Sequence, residues 1–178
     1  MMNQSLLDKL EQARQKYKPA KIELLLIAEA APDSLDRFFY YEDVKSADYL
    51  FLGVIEVLNP ELKNVYLQTD RNSEVKKIIL EELKATGIYL IDLYQLPLSL
   101  SAETETDAIA STKAKIVGLV DQETPIIAIK VDVYDALKHE LSDYNLIPER
   151  IPFPSSGQQT NFKVAFESAL KKSGLLDK

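Results

Sequence analysis

Cysteine is absent from this chain and histidine occurs once, at His139, among 178 residues. Disulfides, thiol nucleophiles, zinc-thiolate sites and multi-histidine metal centres are therefore excluded, and no metal or organic cofactor is implied. His139 lies in Lys138-His139-Glu140, on the polar side of a helical pattern, and reads as a solvated side chain rather than a general base. Long apolar runs are also missing, so no segment is a candidate membrane span. The polar, charged start from Met1 to Tyr17 lacks the pattern of a signal peptide, and a cytoplasmic protein without a membrane partner is expected. Basic residues are the scarcer charge: 21 Lys and Arg face 28 Asp and Glu, a net charge of -7. Non-specific affinity for a long duplex needs many cations to release counterions, so this balance argues against it and leaves room only for a local basic groove.

What is present suits one globular core. Hydrophobic residues make up 46% and charged residues 28% of the chain, and the length favours a single domain over 1–178, with residues 1–20 as an N-terminal helix packed on it. Short apolar runs alternate with longer helical patterns. Strands are expected at Lys21 to Ala28, Ile88 to Leu93, Pro125 to Val131 and, more polar and edge-like, Leu146 to Phe153. Helices are expected at Asn3 to Tyr17, Ser46 to Leu58, Asn72 to Thr86, Asp107 to Val120, Asp132 to Leu141 and Gln158 to Ser173. Asn72 and Asp132 suit N-caps, Gly87 and Gly174 suit C-terminal caps, and Pro19 and Pro60 close the first two helices. The pattern implies a three-layer α/β/α sandwich around a central, mostly parallel four-stranded sheet.

Ligands of such sheets collect beyond the carboxyl ends of the strands, which directs attention to three loops. The first, Ala28-Glu29-Ala30-Ala31-Pro32-Asp33, leads into Arg37-Phe38-Phe39-Tyr40-Tyr41. Two readings fit these aromatics: a stacking wall for a flat ligand, or a cover for the sheet end. Glu29 and Asp33 are the loop's carboxylates, as functional groups or as caps and solvated charges. In the second loop, Asp92 stands inside the apolar run Ile88 to Leu93. It either serves a ligand or fixes the turn, because a buried carboxylate must be hydrogen-bonded or neutralised. The third loop, Pro152-Phe153-Pro154-Ser155-Ser156-Gly157-Gln158-Gln159, opens the last helix. Ser156 and Gln159 have capping-box spacing, and the free N–H groups of such a helix start suit a phosphate, carboxylate or base oxygen.

Together the loops resemble the uracil-DNA glycosylase superfamily. Ala28-Glu29-Ala30-Ala31-Pro32 matches its Gly-Glu-Ala-Pro-Gly type loop, Asp92 falls at its base-reading Asn with Pro97 following, and Pro154-Ser155 matches its late Pro-Ser. The resemblance runs in order from Lys21 to about Lys172. It implies an extracted base stacked on Phe38 or Phe39 and read by Asp92, with the adjacent phosphate held by Ser155, Ser156, Gly157 and Gln158. The family's water-holding Asp or Asn is replaced by Ala30, and the His before Pro-Ser by Phe153. Water activation would then fall to Glu29 or Asp33, and support of the departing base anion to the serine turn. An ionised Asp at position 92 only accepts hydrogen bonds, which suits adjacent donors such as guanine N1-H and N2-H and repels uracil O4; reading uracil would require Asp92 to be protonated.

Two functions follow as expectations. One is a glycosylase-like hydrolase acting on an extruded base, with DNA as partner. The other is a non-catalytic protein that binds a nucleobase or nucleotide, or serves interaction alone.

Overall fold

Strands apolar on both faces need cover on both faces, and the chain supplies it. The computed structural model describes residues 2–176. Strands β1 (Leu24–Ala28), β2 (Ile88–Asp92), β3 (Pro125–Ala128) and β4 (Asn145–Leu146) form one four-stranded sheet, ordered β2-β1-β3-β4, with every pairing parallel. Around it lie α1 (Met2–Lys16), α2 (Tyr49–Leu58), α3 (Pro60–Gln68), α4 (Ser73–Thr86), α5 (Glu105–Leu119), α6 (Val131–Leu137) and α7 (Gln159–Ser173). Helix α2 packs on α3 and α7, and α3 on α4, which groups these on one face; α5 packs on α6 on the other. Right-handed crossovers require this division, because β1 to β2 runs one way across the sheet while β2 to β3 and β3 to β4 run the other. The result is a three-layer α/β/α sandwich. No helix among the described residues is long and apolar enough to cross a membrane.

The connection leaving β1 therefore goes to the opposite face from those leaving its neighbours β2 and β3. Crevices open on both sides of the carboxyl end of β1, where ligands of open α/β sheets bind. The outer edge of β2 is closed by Tyr40, whose hydroxyl accepts a 2.7 Å hydrogen bond from the Leu90 N–H. That contact removes an unpaired edge donor and fixes the aromatic segment against the sheet.

Most expected boundaries hold to within a few residues, and the differences have local causes. Helix α3 is an addition: Pro60 ends α2 as expected but also starts α3 at N1, where its missing N–H costs nothing, with the Asn59 side chain accepting from Leu62 N–H. Helix α2 begins at Tyr49 rather than Ser46 because Ala47 is left-handed, at φ 56°. Asn72 caps α4 through Glu74 and Val75 N–H, and Gly87 and Gly174 take left-handed C-terminal positions. Asp132 is not a cap; it lies in the first turn of α6, after Lys130. The capping box at Ser156 does not form, since Gln159 is the first helical residue and stands too close in the helix to return a bond. The fourth strand is two residues long, extended by a single bridge between Ile129 and Ile151.

The apolar stripe of α4 contains a lysine. Lys76 is fully buried beside Ile79, Leu80 and Leu83. Its Nζ donates to the Phe38 carbonyl at 3.1 Å and lies 4.5 Å from the centre of the Phe51 ring. Burial lowers its pKa from 10.5 to about 7, against the opposing charges of Asp48 and Glu42. The unfolded chain holds this proton up to about pH 10.5 and the folded chain gives it up near 7, so the unfolded state binds more protons across that window. Unfolding free energy is expected to rise with pH between about 7 and 10.5, by up to about 1.4 kcal/mol per unit. Urea titrations over that range should show the slope in the natural chain and lose it in Lys76→Met.

Candidate functional site

The crevice between β1 and β2 contains a cavity of about 260 Å³. Ala30, Ala31 and Pro32 come from the loop after β1, Phe38 and Phe39 from the aromatic segment, and Leu90 and Asp92 from β2. Ala47, Asp48 and the start of α2 close another side, and Phe153 enters from the third loop. Phe38 and Phe39 are buried, at 1% and 5% exposure, and pack with Tyr40 at ring-centre distances of 6.0 and 5.0 Å. They thus cover the sheet end and also line the cavity.

Asp92 is one of two buried acids of this site, 4% exposed at the end of β2. Its Oδ2 accepts a 3.0 Å hydrogen bond from Arg14 Nη2, and Arg14 is itself buried. The arginine comes from α1, where Leu10 and Arg14 lie along the buried stripe that Tyr17 continues just past the helix. Its guanidinium sits 5.4 Å from the centre of the Phe38 ring, and its Nη1 donates to Glu11 at 2.8 Å. Burial pushes the Asp92 carboxyl above its ordinary value, and the Arg14 charge and hydrogen bond offset that only in part. Burial likewise works against the Arg14 charge, but Asp92 and Glu11 outweigh it and the guanidinium is held more firmly charged than usual.

The remaining candidates separate. Glu29 is half-buried and accepts a 2.7 Å hydrogen bond from Lys130 Nζ. This ion pair spans the other crevice, between the ends of β1 and β3, and Glu29 does not line the cavity. Asp33 pairs with Arg37, four residues on, leaving Arg37 at the cavity wall and Asp33 outside it. Ser155, Ser156, Gly157 and Gln158 form a turn of their own: Ser155 N–H donates to the Phe153 carbonyl at 2.9 Å and Gln158 N–H to the Ser155 carbonyl at 3.0 Å. Ser156 and Gly157 are both left-handed, and none of the four lines the cavity. His139 is exposed.

Sequence reasoning missed Arg14, Lys76 and the pair formed by Asp48 and Arg71. A signal existed for the first two, since each is a cation in the apolar stripe of its helix. Asp48, 3% exposed, lines the cavity and accepts from Arg71 Nε at 3.2 Å and Nη2 at 3.1 Å. That partnership crosses 23 residues and leaves no periodic trace in sequence.

Compared with protein-family models, with curated proteins and with solved structures, the chain matches none.

Breaking a buried ion pair leaves one charge uncompensated, whereas replacing both members by apolar residues is near neutral. Arg14→Met and Asp92→Leu are each expected to cost about 3–5 kcal/mol of unfolding free energy, and the double variant to recover most of it. Denaturant unfolding of all four chains measures the coupling.

Proposed function

We propose that this protein binds a planar, nucleobase-sized ligand in the cavity between the ends of β1 and β2, without cleaving a glycosidic bond. The observation that carries this reading is the convergence of Phe38, Phe39, Phe153 and Asp92 on one space of about 260 Å³. That size lies just under the range typical of drug-sized ligand sites, roughly 300–1,000 Å³. Aromatic and aliphatic walls supply stacking and desolvation, and a few polar groups supply orientation. The resemblance of the three loops to the uracil-DNA glycosylase superfamily supports the same ligand class. The net charge of -7 favours a free base, nucleoside or nucleotide over duplex DNA.

Hydrolysis is the less supported half of the resemblance. A general base must come within hydrogen-bond reach of the attacking water. Glu29 is committed to Lys130, and neither it nor Asp33 lines the cavity. Asp92 is committed to Arg14.

Calorimetric titration with nucleobases and nucleosides is expected to show saturable binding. Phe153→Ala, which trims a half-buried ring at the wall, should weaken it about tenfold, as the loss of one stacking face does. Oligonucleotides carrying uracil, hypoxanthine, xanthine or mismatched bases are expected to yield no abasic product. Abasic product would make the protein a hydrolase, and the absence of any binding would refute the site.

A further inference from the structure

We propose that the cavity selects a 2-amino-4-oxopyrimidine edge, the ring N–H beside an exocyclic amino group that guanine and pterins share; this rests on the cavity being a planar-ligand site. The side chains that line it with polar atoms are Arg37, Asp48, Tyr49 and Asp92. Asp48 turns its carboxylate to Arg71 through Nε and Nη2. Asp92 spends only Oδ2 on Arg14, and its Oδ1 takes no hydrogen bond among the described residues. Oδ1 is not among the fully enclosed, unpartnered side-chain atoms of the described residues, which are Arg14 Nε and the Tyr66 hydroxyl; Asp92 borders this cavity and a second cleft that it shares with Arg14, Gln95 and Lys115. Asp92 therefore keeps an accessible acceptor at the end of β2 while Arg14 supports its ionised form.

An ionised carboxylate has no proton to donate and about four lone-pair sites, so Oδ2 also retains capacity beside its bond to Arg14. Such a group demands donors from the ligand. Uracil places a carbonyl on each side of its ring N–H, and adenine and cytosine place an unprotonated ring nitrogen beside their amino group, so each would set an acceptor against the carboxylate. Hypoxanthine offers the ring N–H but only a C–H where guanine has its amino group, and so supplies one donor instead of two. A ring N–H with an adjacent amino group offers two donors in line, and Arg37 at the wall suits the oxo group beyond them. A site built to receive a donor rejects the analogue that lacks it, because its own polar group is then left unpaired.

The test uses the unaltered chain and needs no variant to fold. Calorimetric titrations compare 9-methylguanine, 9-methylhypoxanthine, 9-methyladenine, 1-methyluracil and pterin. The expected result is that 9-methylguanine, pterin or both bind about tenfold or more tightly than 9-methylhypoxanthine, which differs from 9-methylguanine only in the amino group. The stronger of the two identifies the ring system. Equal affinity for 9-methylguanine, pterin and 9-methylhypoxanthine would overturn the edge selection while leaving the planar-ligand site standing. No binding by any of the five would overturn both.

Discussion

Much of the site depends on the need to neutralise Asp92. Its carboxylate ends a buried edge strand of otherwise apolar residues, where an unpaired charge is costly enough to unsettle the fold. Arg14 answers it from a helix that precedes the sheet in sequence, and α1 is thereby fixed to β2. The same guanidinium lies over Phe38, and the Phe38 carbonyl is held by Lys76 of α4. One buried acid thus ties together α1, the aromatic segment and α4.

Two further pairs hold the rim. The partnership of Asp48 with Arg71 joins the start of α2 to the link between α3 and α4, while that of Glu29 with Lys130 joins the ends of β1 and β3. Each lies at backbone held in a sparsely populated conformation: Ala47 at φ 56° precedes Asp48, Arg71 is itself at φ 55°, and Lys130 is at φ 84°. Left-handed conformations of non-glycine residues cost of order 1–3 kcal/mol each and persist only where surrounding contacts over-determine them. Here they border the crevices on either side of β1, where the connections part.

The architecture was legible because it follows from periodicity. Leu24 to Ala28 and Ile88 to Ile91 are apolar at consecutive positions, which demands cover on both faces, and Asn72 with Gly87 brackets α4 as local chemistry requires. Helix α3 was hidden because Pro60 both stops one helix and starts the next. For the site, the loops after β1 and β2 were legible as places, and Phe38, Phe39 and Asp92 do meet there. Their partners were not, since Arg14 reaches Asp92 across 78 residues and Lys130 reaches Glu29 across 101. Sequence shows that a charge is present; only the fold shows what answers it.

That distinction bears most on catalysis. A carboxylate activates water when it is free to accept a proton beside the reacting carbon, so its usefulness depends on what else it holds. Glu29 stands at the end of β1, one residue before the cavity wall at Ala30, yet its side chain belongs to the opposite crevice. Bringing it to the cavity would mean breaking a 2.7 Å ion pair with a lysine on strained backbone. Asp92 faces the reverse constraint: it reaches the cavity, but losing its negative charge would leave the buried Arg14 with only the exposed Glu11 as counter-ion. A carboxylate held in place by a buried arginine suits recognition, because the pair keeps its acceptors in one position throughout binding. The arrangement of charges around β1 therefore supports the proposed binding reading over a hydrolytic one.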